Sequence, residues 1–496
     1  MRNSRRFDLW HMISQWNCCM RRKNSKTIYL LGIGGIAMGT LATMLTEKGF
    51  NVTGSDLNLY PPMSTHLETL GIPVCQGYDA ANPEKCAPDL VIIGNAIRRT
   101  NPEAEYVLSH GLPYLSMPQA IAEFFLCAHK SMVVAGTHGK STTSSLLSWV
   151  LSRGGLDPSV FVGAFIKNWN SSYRIGRGPF MVIEGDEYDT AFFDKGPKFL
   201  HYSPWIGIVT SVEFDHADIF TDFEAVRRAF RSFARLIQPD GHLILNADDA
   251  NCLALAKESR GRVTTYGWSR TADWRIVDMI HTDGRIRFTY ENPLSRGTES
   301  ILTRMPGRHN VSNSMAVMAA ASLAGLDRNA VQDGLLTFEG VKRRQDILGE
   351  IGGILVMDDF AHHPTAVRET IQALKDFYPR RRIFCAFEPR TNSSRRSVFQ
   401  QAYTTAFDDA FCICIKHPPG MDAIPREERL DVQKLVADIA ERGKECHGFA
   451  SAEDLIGFLV DHCASGDLVV CMSNGSFDGL PHGLCTALAQ KHAGAS

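Results

Sequence analysis

Residues 130–143, Lys-Ser-Met-Val-Val-Ala-Gly-Thr-His-Gly-Lys-Ser-Thr-Thr, pass from an apolar run through two glycines into a lysine and three hydroxyl side chains. A phosphate-binding loop needs small residues, so that backbone N–H groups can face anionic oxygens. It also needs a lysine for the outer phosphates and a hydroxyl for Mg²⁺. Gly136, Thr137, His138 and Gly139 supply the loop, Lys140 the ammonium, and Ser141 or Thr142 the hydroxyl. The serine- and threonine-rich stretch that follows reads as a helix, which adds its positive N-terminal end. A full-length loop of this kind would carry glycine at position 134, where Val134 stands, so the motif is a shortened variant. Its context of apolar strand before and helix after carries the reading: an enzyme that uses ATP with Mg²⁺.

The same strand, glycine turn and helix pattern recurs on both sides. Upstream, TIYLLGIGG reads as a buried strand entering a turn, IAMGTLATMLTEKG as a helix ending on Gly49, and NVTGSD and DLVIIGNA (89–96) as further strands. Downstream lie the apolar runs FMVIEGD (180–186) and WIGIVTSV (205–212). After the basic segment Val341-Lys342-Arg343-Arg344 come GGILVMDDF (352–360), RRIFCAFEP (382–389) and DLVVCMSNG (467–475). Strands alternating with helical stretches predict an α/β protein with parallel sheets covered by helices. The pattern divides into three domains, 27–130, 131–341 and 342–496, behind an unassigned N-terminal extension, 1–26. That extension carries seven basic residues but no uninterrupted apolar stretch, so it does not read as a signal peptide.

Composition narrows the function. At 496 residues the chain exceeds one hydrophobic core, and its 44% hydrophobic and 21% charged fractions are those of a globular protein. A formal net charge of −2 gives no global electrostatic case for nucleic acid or an anionic membrane, and no apolar run approaches a membrane span. The thirteen cysteines form no CxxC pair, which predicts reduced thiols and a cytoplasmic protein; Cys412 and Cys414 read as buried strand residues.

Three polar clusters stand at strand ends. Glu184-Gly185-Asp186-Glu187-Tyr188-Asp189 has the carboxylates a divalent-cation site requires. Glu213-Phe214-Asp215-His216-Ala217-Asp218 repeats the arrangement, with His216 facing phosphate or metal. Asp358-Asp359-Phe360-Ala361-His362-His363-Pro364 is a tight polar turn, and zinc there lacks a third ligand at ligand spacing along the chain. The first glycine turn, Gly32-Ile33-Gly34-Gly35-Ile36-Ala37, with Ser55-Asp56 after the next strand, predicts a diphosphate-bearing nucleotide, by default NAD. A dinucleotide-dependent oxidoreductase would leave GTHGKST idle, and a nucleotide-controlled regulator would have no use for the acid clusters.

Together, GIGGIAM (32–38), AGTHGKST, PGRHNVSNSMA (306–316) and DDFAHHPT (358–365) resemble the Mur ligases, ATP-dependent amino-acid and peptide ligases of bacterial peptidoglycan metabolism. The resemblance spans residues 27–496. It implies a Rossmann-like first domain for a UDP-sugar rather than NAD, a central P-loop ATPase-like domain with a mostly parallel sheet, and a Rossmann-like peptide-binding C-terminal domain. It further implies UDP contacts at Gly32, Gly34, Gly35, Met38, Ser55, Asp56, Asn95 and Ala96, and adenine and ribose near Asn310 and Asn313. Arg343 or Arg344 would lie near phosphate; Lys140, Glu184, His216, Asp359 and His362 would form the catalytic set, with one Mg²⁺ on Ser141 or Thr142 and Glu184, and His216 on a second Mg²⁺ or the acyl phosphate.

YPPMST (60–65), VIIGNA (91–96), EYDTAFFDK (187–195), EFDHADIF (213–220), EPRTN (388–392) and MSNGSF (472–477) resemble the branch that joins UDP-N-acetylmuramate to the murein tripeptide L-alanyl-γ-D-glutamyl-meso-diaminopimelate. The L-alanine-ligating branch is the alternative; it tends to carry a histidine-arginine pair at Glu388-Pro389-Arg390. Arg390 is the candidate clamp for a peptide carboxylate, with Asn392 and Asn474 beside it. One branch uses a carbamoylated lysine, where this chain has Phe230, so none is expected.

Overall fold

The computed structural model describes residues 26–60, 63–217, 219–282, 284–295 and 297–493. The N-terminal extension up to residue 25, Pro61 and Pro62 of YPPMST, and Asp218 of the second acid cluster lie outside the described residues.

The chain divides into two compact units. The first runs to His129 and takes in Tyr173–Ile175 and Tyr188–Tyr202. Its sheet is built on the apolar strand Thr27–Leu31 (β1), whose last four residues are buried. Helix α1, Ile36–Glu47, follows and ends at Gly49, which takes a φ of +89°. Around β1 lie Asn51–Asp56 (β2), Val74–Gln76 (β3), Leu90–Ile93 (β4) and Tyr114–Ser116 (β5), in the order β3-β2-β1-β4-β5, all parallel. This is the doubly wound order, and it reverses between β1 and β4, where such sheets bind ligands. The Gly32 turn leaves the end of β1 and Asn95-Ala96 the end of β4, both exposed at that crevice. The hairpin of Asp189–Ala191 and Asp194–Pro197, inside the second sequence block, belongs to the first unit. A two-stranded ribbon has no core of its own, and Phe192 and Phe193 join the Tyr29, Val91 and Val107 cluster instead.

The second unit holds two sheets. In the central one, strands stand side by side in the order Trp274–Thr282, Arg262–Gly267, His242–Asn246, Pro204–Val209, Lys130–Ala135, Phe180–Gly185 and Ser159–Ile166. Neighbours in that run are parallel, and two antiparallel strands, Arg285–Asn292 and Gly297–Thr303, extend it past Trp274. Met132, Val133 and Val134 are fully buried, each contributing roughly 1.5–3 kcal/mol. Lys130–Ala135 is flanked by the strands that end at Gly185 and Val209. The acid clusters after those strands therefore meet the glycine loop at one carboxyl edge. Helices Lys140–Arg153 (α2) and Arg308–Leu323 (α3) pack together over this sheet.

The last sheet runs Asp346–Ile351, Ile354–Asp359, Leu468–Met472, Ile383–Phe387, Cys412–Lys416 and Glu445–Phe449, parallel except for its first strand. Its two faces carry separate apolar clusters. Cys412 and Cys414 are fully buried strand residues.

Candidate active site

The loop from Gly136 to Gly139 depends on two glycines. At Gly136 φ is +137°, and a Cβ would stand 2.1 Å from Thr210 Oγ1; at Gly139 φ is +78°, and a Cβ would stand 2.9 Å from Asn313 Oδ1. Thr210 braces the loop by donating to the carbonyls of Ala135 and His138. Thr137 N–H bonds Ser211 O at 2.9 Å, and Thr137 Oγ1 accepts from Glu213 N at 2.9 Å.

Lys140 opens α2 and donates to Gly136 O at 2.6 Å and to Glu187 Oε2 at 2.9 Å. Burial opposes its charge, but Glu187, Asp186 and Glu184 win and raise its pKa, so it stays an ammonium. Ser141 Oγ donates to Glu184 Oε1 at 2.8 Å, and Gly163 N donates to Glu184 Oε2 at 2.8 Å. Burial, then Asp186, pushes the Glu184 carboxyl up. Two crowded carboxylates beside a hydroxyl form an oxygen set that fits a hard divalent cation. Thr142 follows half-buried in the first helical turn.

His216 has a positive φ of 54° and sets Nε2 3.1 Å from Glu187 Oε1. Burial lowers its pKa, but Glu187 and Asp215 outweigh burial and raise it. The sequence reading puts His216 on metal or phosphate, and its Nε2 is held by the Glu187 carboxylate at the same sheet edge as Ser141 and Glu184. Glu187 was quoted in the acid cluster but assigned no role. It is 2% exposed and joins Lys140 to His216, and its position beside three other acids was the available signal.

The last sheet delivers more groups to this edge. Asp359 accepts from Gln345 N and Ala361 N, both at 2.7 Å, and burial raises its pKa. His362 Nε2 lies 4.0 Å from Asp215 Oδ2, and burial lowers the His362 pKa. Arg343, with φ +62°, donates to Asp358 at 3.1 Å and to the carbonyls of Ser473 and Gly475 at 2.7 and 2.5 Å. It braces the last sheet, while Arg344 lies 4.6 Å over the Phe360 ring in the field of Asp359 and Glu184. Asn310 Nδ2 donates to Pro306 O at 2.7 Å, and Asn313 Nδ2 to Asn310 Oδ1 at 3.2 Å, which ties α3 to the loop through Gly139.

Arg390 does not stand alone. Its guanidinium lies 3.3 Å from Glu388 and 3.5 Å from Asp478, while Lys416 lies 3.0 Å from Glu388 and 2.7 Å from Asp478. Ser473 Oγ adds a 2.8 Å bond to Glu388, which is fully buried. Asn474 Oδ1 is buried without a hydrogen-bond partner, and Asn392 accepts from Arg395 at 2.7 Å. Sequence reading missed Lys416 and Asp478; a lysine ending the apolar strand CICIK was the only sign of the first.

In the first unit, Asp56 Oδ2 accepts from Gly34 N at 2.8 Å, so the acid shapes the turn itself. Ser55 was expected on the nucleotide, yet it is fully buried and donates its hydroxyl inward to Glu103. Met38 is also buried, against Gly94. Gly35, Asn95 and Ala96 remain exposed at the crevice, and Gly32 and Gly34 are half-buried there.

A phosphate loop framed by carboxylates at one sheet edge in the second unit, together with a nucleotide-type crevice in the first, defines a nucleotide-dependent enzyme of the ligase class. The family model described as Mur ligase family, catalytic domain, matches residues 27–127. Mur ligase middle domain matches 134–321, and Mur ligase, glutamate ligase domain, matches 343–475. The UDP-N-acetylmuramate--L-alanyl-gamma-D-glutamyl-meso-2,6-diaminoheptandioate ligase of Haemophilus influenzae is 36% identical over 463 residues, covering 92% of this chain and 97% of that one. The UDP-N-acetylmuramate--L-alanine ligase of Syntrophobacter fumaroxidans is 34% identical, covering 92% and 94%. A crystal structure of a murein peptide ligase from Psychrobacter arcticus superposes with a TM-score of 0.69 at 33% identity, covering 94% and 99%. The chain belongs to the Mur ligase family.

Proposed function

We propose that this chain uses ATP to join the lactyl carboxylate of UDP-N-acetylmuramate to the amine of L-alanyl-γ-D-glutamyl-meso-diaminopimelate, in peptidoglycan recycling. The observation that carries the reading is the convergence of Lys140, Glu187 and His216 with Ser141 and Glu184 at one sheet edge. Near full-length similarity to a ligase named for those substrates supports the acceptor. The carboxylate oxygen attacks the γ-phosphorus of ATP, ADP leaves, and an acyl phosphate forms. The peptide amine then attacks the acyl carbon, phosphate leaves, and an amide results.

The chain's own part is position and charge. Lys140 leaves Glu187 for the β- and γ-phosphate oxygens, and His216 donates toward the phosphoryl group. Ser141 and Glu184, with Thr142 adjacent, would hold Mg²⁺, which supplies charge neutralisation of the phosphates when bound. Asn310 and Asn313 border the adenine side, Arg344 faces phosphate, and His362 and Asp359 border the acceptor. Arg390, with Asn392 and Asn474 near it, takes a peptide carboxylate. In the first unit, Gly32, Gly34, Gly35, Asn95 and Ala96 receive the UDP moiety. ATP and a nucleotide sugar as substrates place the reaction in the bacterial cytoplasm.

The second reading is ligation of L-alanine, favoured by relatives 31–34% identical that are named for it. Incubation with ATP, Mg²⁺, UDP-N-acetylmuramate and either L-alanine or tripeptide separates the two by phosphate release and product mass. Release with tripeptide and not L-alanine is expected; the reverse overturns the acceptor assignment.

A further inference from the structure

We propose that His138, Glu213 and His363 form a binding site for a divalent cation of the zinc class, separate from the magnesium position at Ser141 and Glu184. The three come from the phosphate loop, the loop after strand Pro204–Val209, and the residue that opens helix Pro364–Phe377. His138 Nε2 lies 3.5 Å and His363 Nδ1 3.7 Å from Glu213 Oε2, and all three donor atoms fall within 4.8 Å of one another. Metal–ligand bonds of about 2.0–2.2 Å at tetrahedral angles place donors roughly 3.3–3.6 Å apart, so two of the three pairs stand near ligand spacing.

The donor set and its support fit as well. His138 Nε2 is buried and has no hydrogen-bond partner, an orphaned donor atom aimed at the carboxylate. His363 Nε2 lies 3.3 Å from the Phe214 carbonyl, which fixes the tautomer that leaves Nδ1 as the acceptor. Thr365 N donates to that Nδ1 at 3.3 Å, a long bond that a cation would replace, and Thr365 Oγ1 orients Glu213 at 2.7 Å. Two imidazoles and one carboxylate suit zinc and its neighbours, whereas magnesium prefers oxygen ligands in a near-octahedral shell. A bound ion would tie the phosphate loop to the helix that opens the last sheet.

The test uses the untagged full chain, stripped with chelator and titrated with Co²⁺ alone. The expected result is the visible spectrum of four- or five-coordinate cobalt, saturating at one equivalent. It should lack a thiolate charge-transfer band, be erased by Zn²⁺, and be unmoved by millimolar Mg²⁺. His363→Ala and His138→Asn should each weaken binding at least about ten-fold, and Zn²⁺ should raise the melting midpoint of the wild type but of neither variant. Glu184→Gln should bind cobalt unchanged, which separates this site from the magnesium position. Circular dichroism checks folding, and Thr365→Val serves as the milder variant. An octahedral spectrum displaced by Mg²⁺, no spectrum in the wild type, or one that survives in every variant overturns the proposal. No substrate enters the binding measurement, so its outcome is independent of the ligase reading.

Discussion

Lys140 meets Glu187 at 2.9 Å, and on the proposed reading that pairing holds an ammonium for the phosphate oxygens of ATP. Replacing it with Met keeps the stem and removes the charge. ADP release in the presence of UDP-N-acetylmuramate and tripeptide should drop by roughly 10²–10³ or more; turnover near the wild-type rate would remove the phosphate-loop assignment. Arg390 is a different kind of residue, because its partners Glu388 and Asp478 leave it poised between two acids. For Arg390→Ala, the KM for tripeptide should rise at least about ten-fold with a smaller change in kcat. A KM that stays put means the peptide carboxylate is held elsewhere.

At the scale of elements, the loop and the last sheet are each sensitive to one change. Gly136→Ala drives a methyl to 2.1 Å from Thr210 Oγ1 at a φ of +137°. About 1–3 kcal/mol of stability and most nucleotide affinity should be lost, as read by thermal unfolding with and without ATP. Lys416 ends a buried strand, and its side chain is 6% exposed against a fully buried Glu388. Lys416→Met removes one of the two cations on that carboxylate, leaving it Arg390 and Ser473, and should cost about 1–3 kcal/mol by denaturant unfolding. Adding Glu388→Gln to that variant should restore part of the loss; a double variant no better than the single would mean the pair is not the source.

Over the whole molecule, half-buried histidines contribute to the response to acid. Burial pulls the pKa of His309 down, and burial with Arg262 does the same for His242. Both refuse a proton in the folded state that the unfolded chain accepts near its ordinary value of about 6.5. Their contribution is therefore present above that value and falls away as pH drops below it. Chemical unfolding at pH 7.5 and 5.5 should show lower stability at the acidic pH, and His309→Gln should flatten part of that slope. An unchanged slope would place the acid sensitivity in other groups.

Much of the α/β architecture was legible because its signals are local. Apolar runs of strand length, glycines at turns and hydroxyls opening a helix lie within a few residues of one another, as in 130–143. The same locality exposed the phosphate loop, the acid clusters and the first glycine turn. What the tertiary structure decided is which of these residues share a point in space. Parallel order in the central sheet sets the strands ending at Gly185 and Val209 on either side of the loop strand, and so brings Glu187 to both Lys140 and His216. In the first unit the sheet turns Ser55 inward onto Glu103, and the last sheet gathers Arg390, Lys416 and Asp478 around Glu388. The pair His362-His363 had no third ligand along the chain, yet the fold sets His138 and Glu213 beside His363 from 225 and 150 residues away. Chain spacing encodes local conformation, whereas proximity of distant side chains depends on strand order, which only the packed core selects.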